Sequence, residues 1–154
     1  MKRQKPEVGD LFTVPLPDGT FATGQIVARE AQMLNSWTCA FSRLRVPKEE
    51  MPIESIRLEV AISVQFVTGD LLKKGIWKIH GRAAVVIPKS AFPHEEFRDQ
   101  GWIGATMRGS GIIRTFLAAF HGLEFWDAMK DPDYYQKLLL PGVLVPDAIK
   151  RKTA

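Results

Sequence analysis

The chain has 154 residues, of which 45% are hydrophobic and 25% charged, and its formal net charge is +4. This length predicts a single domain over residues 1–154, because a chain of this size buries about 68–70% of its unfolded surface. Its apolar runs are shorter than the roughly 20 residues that a membrane-spanning helix needs, so we expect no membrane partner. The single cysteine, Cys39, excludes an internal disulfide. Together with the absence of a signal-peptide pattern, it favours a cytoplasmic protein.

The positive charge is concentrated at the two ends of the chain. Six basic residues lie there: Lys2, Arg3, Lys5, Lys150, Arg151 and Lys152. We expect residues 1–6 and 148–154 to form mobile tails. A nucleic-acid-binding domain concentrates basic residues on one folded face, so nucleic acid is not the expected partner.

The first half of the chain predicts antiparallel strands. Two alternating apolar runs flank Pro17, Asp18 and Gly19, and Asp18-Gly19 supplies the positive φ of a tight hairpin turn. The stretch 36–46 is rich in β-branched, aromatic and apolar residues and predicts a third strand. Residues 47–57 predict a loop or short helical turn, and residues 57–66 a strand that is buried on both faces.

The second half predicts a further hairpin and then helices. Residues 69–75 form a polar link, and residues 75–88 predict a hairpin that turns at Gly81-Arg82. A strand begins at Trp102, and from Ile112 apolar residues recur every three or four positions, which predicts a helix that ends near Gly122. Asp131-Pro132 predicts the start of another helix. The expected fold class is α+β, predominantly antiparallel β, as a small barrel-like or highly curved sheet with short helices toward the C-terminus.

The polar residues do not form a recognisable catalytic or metal-binding pattern. His80, His94 and His121 lack zinc-ligand spacing relative to one another and to Cys39. Ser110 has glycines directly beside it, whereas a nucleophile elbow requires glycines two residues away on both sides. We therefore predict no catalytic residue, no metal site and no cofactor.

The segment from His121 to Tyr135 combines aromatic and acidic side chains. Its carboxylates could serve acid–base chemistry, but their places beside Asp-Pro and a helix start are typical of caps and turns. Trp126 is the tryptophan that we expect to be partly exposed, with core packing as the more frequent alternative, and an exposed tryptophan is a common binding anchor. The predicted partner-binding residues are His121, Glu124, Trp126, Asp127, Asp131, Asp133 and Tyr134.

Three segments occur in a familiar order along the chain. They are VGDLFTVPLPDGTFATGQIV, GIWKIHGRAAVVIP and FHGLEFWDAMKDPDYYQKLLLP, and they span roughly Val8 to Leu140. Their order and spacing resemble the immunity protein 26 family of bacterial polymorphic toxin systems. The intervening loops differ from the family, and the third segment is typical of only part of it.

This resemblance implies a non-enzymatic inhibitor that binds and neutralises a cognate toxin. Many toxins of such systems are nucleases with basic active sites, so the inhibitor is expected to present acidic and aromatic groups. Besides the segment from His121 to Tyr135, Glu95, Glu96 and Asp99 form a second acidic group. The alternative is a small β-barrel module that binds nucleic acid or another macromolecule. Neither the toxin's identity nor the oligomeric state follows from the sequence.

Overall fold

The computed structural model describes residues 2–30, 36–93, 95 and 106–152. The strands are β1 (Asp10–Pro15), β2 (Phe21–Ala28), β3 (Ser36–Val46), β4 (Ala61–Thr68), β5 (Lys78–Arg82) and β6 (Met107–Arg108). The α-helices are α1 (Asp70–Lys74) and α2 (Ser110–Phe120), and short 3-10 helices cover Lys89–Ala91 and Gln136–Leu138. None of the helices in the described ranges is long and apolar enough to cross a membrane.

The strands form one six-stranded sheet in the order β5-β1-β2-β3-β4-β6. The first five strands pair antiparallel, and β6 lies parallel to β4. Shifts of register interrupt the pairing of β1 with β5, of β2 with β3 and of β3 with β4, and such bulges bend a strand. The predicted α+β, mainly antiparallel fold is confirmed, and the sheet is open rather than a closed barrel.

The first hairpin turns where the sequence predicts. Gly19 adopts a φ of 84°, and the Leu16 amide donates to the Thr20 carbonyl oxygen at 2.9 Å. The Asp18 carboxylate accepts hydrogen bonds from the Thr20 amide at 3.1 Å and from its hydroxyl at 2.6 Å. The hydroxyl bond contributes most to lowering the pKa of Asp18. The third strand matches its predicted bounds.

Replacing Gly19 with valine should destabilise the protein by about 1 kcal/mol or more, because β-branched residues resist a positive φ. A Cβ at this position would meet nothing within 4 Å, so the cost comes from the backbone rather than from a clash. Thermal unfolding measures the effect. Gly111→Val is the matched control, since Gly111 also has open space but no positive φ. Equal melting temperatures for the two variants would contradict the prediction.

The predicted second hairpin, over residues 75–88, is wrong. Gly81 and Arg82 do not turn the chain but lie inside β5, opposite Leu11 and Asp10 of β1. The Arg82 guanidinium donates to the Asp10 carboxylate at 3.0 Å, which helps to hold this long-range pairing. The polar link before β5 contains α1. Gly75 follows the last residue of this helix and has a φ of 83°.

Of the two helices predicted in the C-terminal part, only the first is an α-helix in the structure. Helix α2 begins two residues before Ile112, and Gly122 follows its end with a φ of 79°. The second predicted helix shrinks to the 3-10 helix Gln136–Leu138, and most backbone bonds of this segment run to the third residue before, as from the Leu138 amide to the Tyr135 carbonyl oxygen at 3.1 Å. The Leu138 carbonyl oxygen accepts from the Ser63 hydroxyl at 2.6 Å. Trp102, where a strand was predicted to begin, lies outside the described residues.

Successive side chains along a strand point to opposite faces of the sheet, and each face carries a hydrophobic core. In β1, Phe12 and Val14 contribute to the first core, whereas Leu11 contributes to the second. Helix α2 covers the first core, with Phe116 and Phe120 fully buried. Irregular segments cover the second core and place the buried residues Ile56, Ile87 and Phe92 in it.

Both ends of the chain, which we expect to be mobile, contact the domain. The Gln4 side-chain amide donates to the carbonyl oxygens of Leu72 at 2.7 Å and Trp77 at 2.9 Å. Near the other end, the Lys150 carbonyl oxygen accepts from the Trp126 amide at 2.7 Å. These contacts place residue 4 and residue 150 against the fold, and the mobility of the tails stays a prediction.

Candidate partner-binding surface

Trp126 does not form the exposed anchor that the sequence analysis considered. Its side chain is only 1% exposed and belongs to the first core. The ring centroid lies 5.9 Å from that of Phe116, 5.7 Å from Tyr135 and 6.3 Å from Phe120. Helix α2 on one side and Tyr135 on the other therefore cover the Trp126 ring.

The polar residues around Trp126 largely serve local structure. The Asp127 carboxylate accepts from the Lys152 amide at 2.7 Å. The Asp131 carboxylate accepts from the Lys137 ammonium at 2.6 Å, which holds the pKa of Asp131 below its usual value. The Tyr134 hydroxyl accepts from the Arg108 guanidinium at 3.1 Å.

Glu124 and Asp133 are the exposed carboxylates among the predicted residues. They lie on the surface around the buried tryptophan and offer acidic charge without an exposed aromatic ring at Trp126. Their assignment to a partner-binding surface stays a prediction.

His121 is half-buried and neutral at physiological pH. Burial, and then the positive charge of Arg45, lower the pKa of its ring to about 4, while the carboxylate of Asp18 opposes the shift. The ring lies edge-on to Phe120, with 5.3 Å between centroids. Its Nε2 atom is buried and has no hydrogen-bond partner among the described residues. The ring thus packs against Phe120 at the end of α2, within range of the charges of Arg45 and Asp18.

The low pKa of His121 predicts a loss of stability in mild acid. Above pH 6.5 the ring is neutral in both the folded and the unfolded chain, so it contributes no pH dependence. As the pH falls from 6.5 to about 4, the unfolded chain binds a proton that the folded protein excludes, and the free energy of unfolding decreases. Urea unfolding at pH 7.5, 6 and 5 should show a shallower decrease for His121→Gln than for the wild type. An identical decrease of the free energy of unfolding in both proteins would contradict the prediction that His121 causes this loss of stability.

Two other reactive side chains also have structural surroundings. Cys39 is fully buried, and burial raises the pKa of its thiol well above the usual range. The Ser110 hydroxyl donates to the Asp70 carboxylate at 2.7 Å, and the Ser110 amide donates to the Thr68 hydroxyl at 2.9 Å. These bonds join the start of α2 to α1 and to the end of β4. Among the described residues, no group of three or more His, Cys, Asp or Glu side chains could hold a metal ion.

A groove that the sequence analysis did not predict lies where β3 extends past the start of β4. Ser42 pairs with Ala61, and the Arg43 amide donates to the Val60 carbonyl oxygen at 2.8 Å. Residues 51–60 then cross this end of the sheet. The resulting groove has a volume of about 380 Å³, with Thr23, Leu44, Met51, Pro52, Ile56 and Val60 among its lining residues.

The rim of this groove and its neighbourhood expose several large apolar side chains. Leu44 is 44% exposed, Ile53 52%, Leu58 44% and Val60 37%. A second depression of about 750 Å³, lined by Leu58 and Val86, shares Glu54, Ser55 and Arg57 with the groove. We call the groove and its rim, residues 42–44 and 51–60, the β3–β4 groove.

Gln25 of β2 fixes the floor of the β3–β4 groove. Its buried side chain accepts from the Ile56 amide at 3.1 Å. The same side chain donates to the carbonyl oxygens of Gly9 at 3.2 Å and Ala83 at 3.0 Å. One glutamine thus joins the segment that crosses the groove, the turn before β1 and the segment after β5.

The segment 47–60 is acidic, but the β3–β4 groove itself, which includes Arg43 and Arg57 beside Glu54 and Glu59, carries no net charge. Residues 47–60 carry Glu49, Glu50, Glu54 and Glu59 against Lys48 and Arg57. The four glutamates are exposed. Among the described residues, Glu54 and Glu59 take part in no ion pair. The mixture of apolar residues and glutamates in PKEEMPIESIRLEV is the sequence feature that could have indicated this groove. By its local pattern the same stretch predicts only a loop followed by a strand.

Comparison with known proteins gives one family. The family model described as Immunity protein 26 matches residues 7–100, which is more than half of the chain. No curated protein and no solved structure matches. The matched residues include the first hairpin, β5 and the whole β3–β4 groove, whereas the segment from His121 to Tyr135 lies outside them.

Proposed function

The chain belongs to the immunity protein 26 family, and from this premise we propose that it binds a cognate bacterial toxin and neutralises it. The family match is the observation that carries the proposal, since it covers β1 to β5 of the sheet. An exposed apolar groove adds support, because large exposed apolar patches mark protein–protein interaction sites.

We further propose that neutralisation is stoichiometric and needs no turnover by this protein. The side chains best suited to catalysis serve the fold: Cys39 is buried, the His121 ring lies against Phe120, and the Ser110 hydroxyl donates to Asp70. A binding protein has to block or distort the toxin's active site, and a complementary surface is sufficient for that.

The toxin that fits best is one with a basic surface, such as a nuclease. A nuclease needs positive charge near its active site to hold phosphates. The exposed glutamates of residues 47–60 are complementary to such a surface, and charge complementarity speeds association and excludes wrong partners. We place this encounter in the cytoplasm, where a protein with one cysteine needs no oxidising environment.

Co-expression tests the proposed function. The toxin domain encoded beside the gene for this chain is induced in a heterologous bacterium, with and without this protein. We expect growth arrest with the toxin alone and growth when both are present. An unrelated immunity protein serves as the specificity control. Co-purification of the two chains at a fixed ratio would support stoichiometric binding, and an unchanged arrest in the presence of this protein would overturn the proposal.

A further inference from the structure

We propose that a basic cluster beside α1 is a contact surface for the toxin, and that it receives a toxin segment rich in aspartate or glutamate. The basic cluster consists of Lys2, Arg3, Lys73 and Lys74. This inference rests on the proposed function and adds a surface together with the chemistry of the toxin segment that it contacts. The glutamates of residues 47–60 and the basic cluster would contact different parts of the same toxin.

The basic cluster surrounds a depression of about 460 Å³. Its lining residues are Arg3, Thr68, Gly69, Asp70, Lys73 and Lys74. Arg3 and Lys74 are exposed. The Asp70 carboxylate is already engaged, because it accepts from the hydroxyls of Thr68 and Ser110, both at 2.7 Å. Three basic side chains against one carboxylate give the depression a net positive charge.

Gln4 holds the N-terminal half of the basic cluster against the fold. Its amide donates to the Lys73 carbonyl oxygen at 2.9 Å, and its side-chain oxygen accepts from the Ile79 amide at 2.8 Å. Its side-chain nitrogen donates to one carbonyl oxygen of α1 and to that of the residue before β5. The Lys2 carbonyl oxygen lies against Gly75, where a side chain would collide with it. The surface is therefore formed before a partner binds, which avoids part of the entropy cost of binding.

The charged groups of the basic cluster suit carboxylates. The guanidinium of Arg3 can donate two parallel hydrogen bonds to one carboxylate, whereas the ammonium groups of Lys73 and Lys74 act as point charges. Charge pairs at an exposed surface contribute little to affinity, but they speed association and fix the orientation of the two proteins. We therefore expect the basic cluster to act mainly on the association rate.

Nucleic acid is the other polyanion that a basic surface attracts, and the observations favour it less. Sites for single strands combine a basic groove with aromatic rings on which bases stack. In the described part of the chain, Trp37 lies against Gly69 and Trp77 is bonded by Gln4, but these rings are only 3% and 0% exposed. Proteins with strongly salt-dependent duplex binding contact about 6–10 phosphates, more than four basic side chains can neutralise.

The basic cluster lies next to the acidic residues 47–60. Gln4 binds the residues on both sides of Lys78, and the Lys78 ammonium lies 3.9 Å from the Glu49 carboxylate. The protein therefore presents positive and negative charge side by side. A toxin whose basic active site adjoins an acidic segment carries the opposite pattern, and two complementary patterns fix the register of the complex and exclude wrong partners.

Association of the purified toxin domain with point variants of the full chain tests this inference. The toxin is recovered by denaturing and refolding from the complex obtained by co-expression, and association rates are measured at about 50 mM and about 500 mM salt. Arg3→Glu reverses one charge of the basic cluster, and Lys74→Gln removes another. Lys89→Glu and Lys89→Gln are the matched controls, because Lys89 is also exposed and lies between residues of the second core, whereas α1 packs on the first.

We expect Arg3→Glu to slow association by about tenfold at low salt, and Lys74→Gln by about threefold. At high salt both differences from the wild type should fall below about twofold, because ions screen charges over a few ångströms. Both Lys89 variants should stay within about twofold of the wild type at either salt concentration. Circular dichroism and melting temperatures verify that all four variants are folded, which is expected because each position is exposed.

The outcomes separate this inference from the proposed function. If the toxin is neutralised but Arg3→Glu and Lys74→Gln associate at wild-type rates, the basic cluster is not a contact surface and the proposed function stands. If the Lys89 variants are slowed equally, the effect reflects net charge, and the inference is overturned.

A short single-stranded DNA and a short duplex are measured in parallel. Binding of either DNA that Arg3→Glu abolishes, with toxin association unchanged, would make the basic cluster a nucleic-acid surface and overturn the inference. If no toxin is neutralised, the proposed function fails and this inference fails with it.

Discussion

Trp126→Ala should lower the free energy of unfolding by about 3–5 kcal/mol, the usual cost of removing a large aromatic side chain from a core. The indole is 1% exposed and contacts Phe116, Phe120 and Tyr135 around it. Truncation would leave a cavity between α2 and the C-terminal segment, because neither can collapse without breaking other contacts. Urea unfolding followed by circular dichroism measures the effect.

The adjacent residue provides a matched control for Trp126. Phe125 is 42% exposed, and its ring contacts the Lys152 ammonium, 5.8 Å from the ring centroid. Phe125→Ala should cost less than about 1 kcal/mol, since little buried area is lost. A stable Trp126→Ala protein that has lost only toxin binding would show that the ring is a contact residue and would contradict its burial.

Gln25→Leu should destabilise the protein by about 2–4 kcal/mol although the two side chains are similar in size. The leucine cannot accept from the Ile56 amide or donate to the carbonyl oxygens of Gly9 and Ala83. Each buried polar group left without a partner costs about 1–3 kcal/mol. Chemical unfolding measures the loss of stability.

Hydrogen exchange at the Ile56 amide reports on the same substitution locally. We expect this amide to exchange faster in Gln25→Leu, together with others in the segment that crosses the groove. The control is Gln136→Leu, at an exposed position, which should stay within about 0.5 kcal/mol of the wild type. Unchanged protection of Ile56 would mean that Gln25 does not hold the floor of the β3–β4 groove.

Several features of the fold could be predicted because neighbouring residues determine them. The first hairpin depends on Asp18 and Gly19, which form the turn themselves. Strand β3 and helix α2 follow from their apolar periodicity, which needs no knowledge of the partner element. The family could also be inferred at this level, because three local segments occur in a fixed order.

Other features depended on residues that are distant in the sequence. The partner of β5 is β1, about 70 residues earlier, so Gly81 and Arg82 continue a strand instead of forming a turn. The second predicted helix is shortened to a 3-10 helix, whose Leu138 carbonyl oxygen accepts from the Ser63 hydroxyl of β4. Local propensity contains no information on such tertiary contacts, which can override it.

The sequence by itself determined the class of fold, the first hairpin and the family, because turn chemistry, periodicity and segment order are local properties. Only the tertiary structure decided which aromatic residues are buried and where an apolar surface remains open. Trp126 is covered by α2 and Tyr135, whereas Leu44 stays exposed because β3 extends beyond its neighbour β4. Burial is a property of the packed chain, and the choice of binding surface therefore required the three-dimensional arrangement.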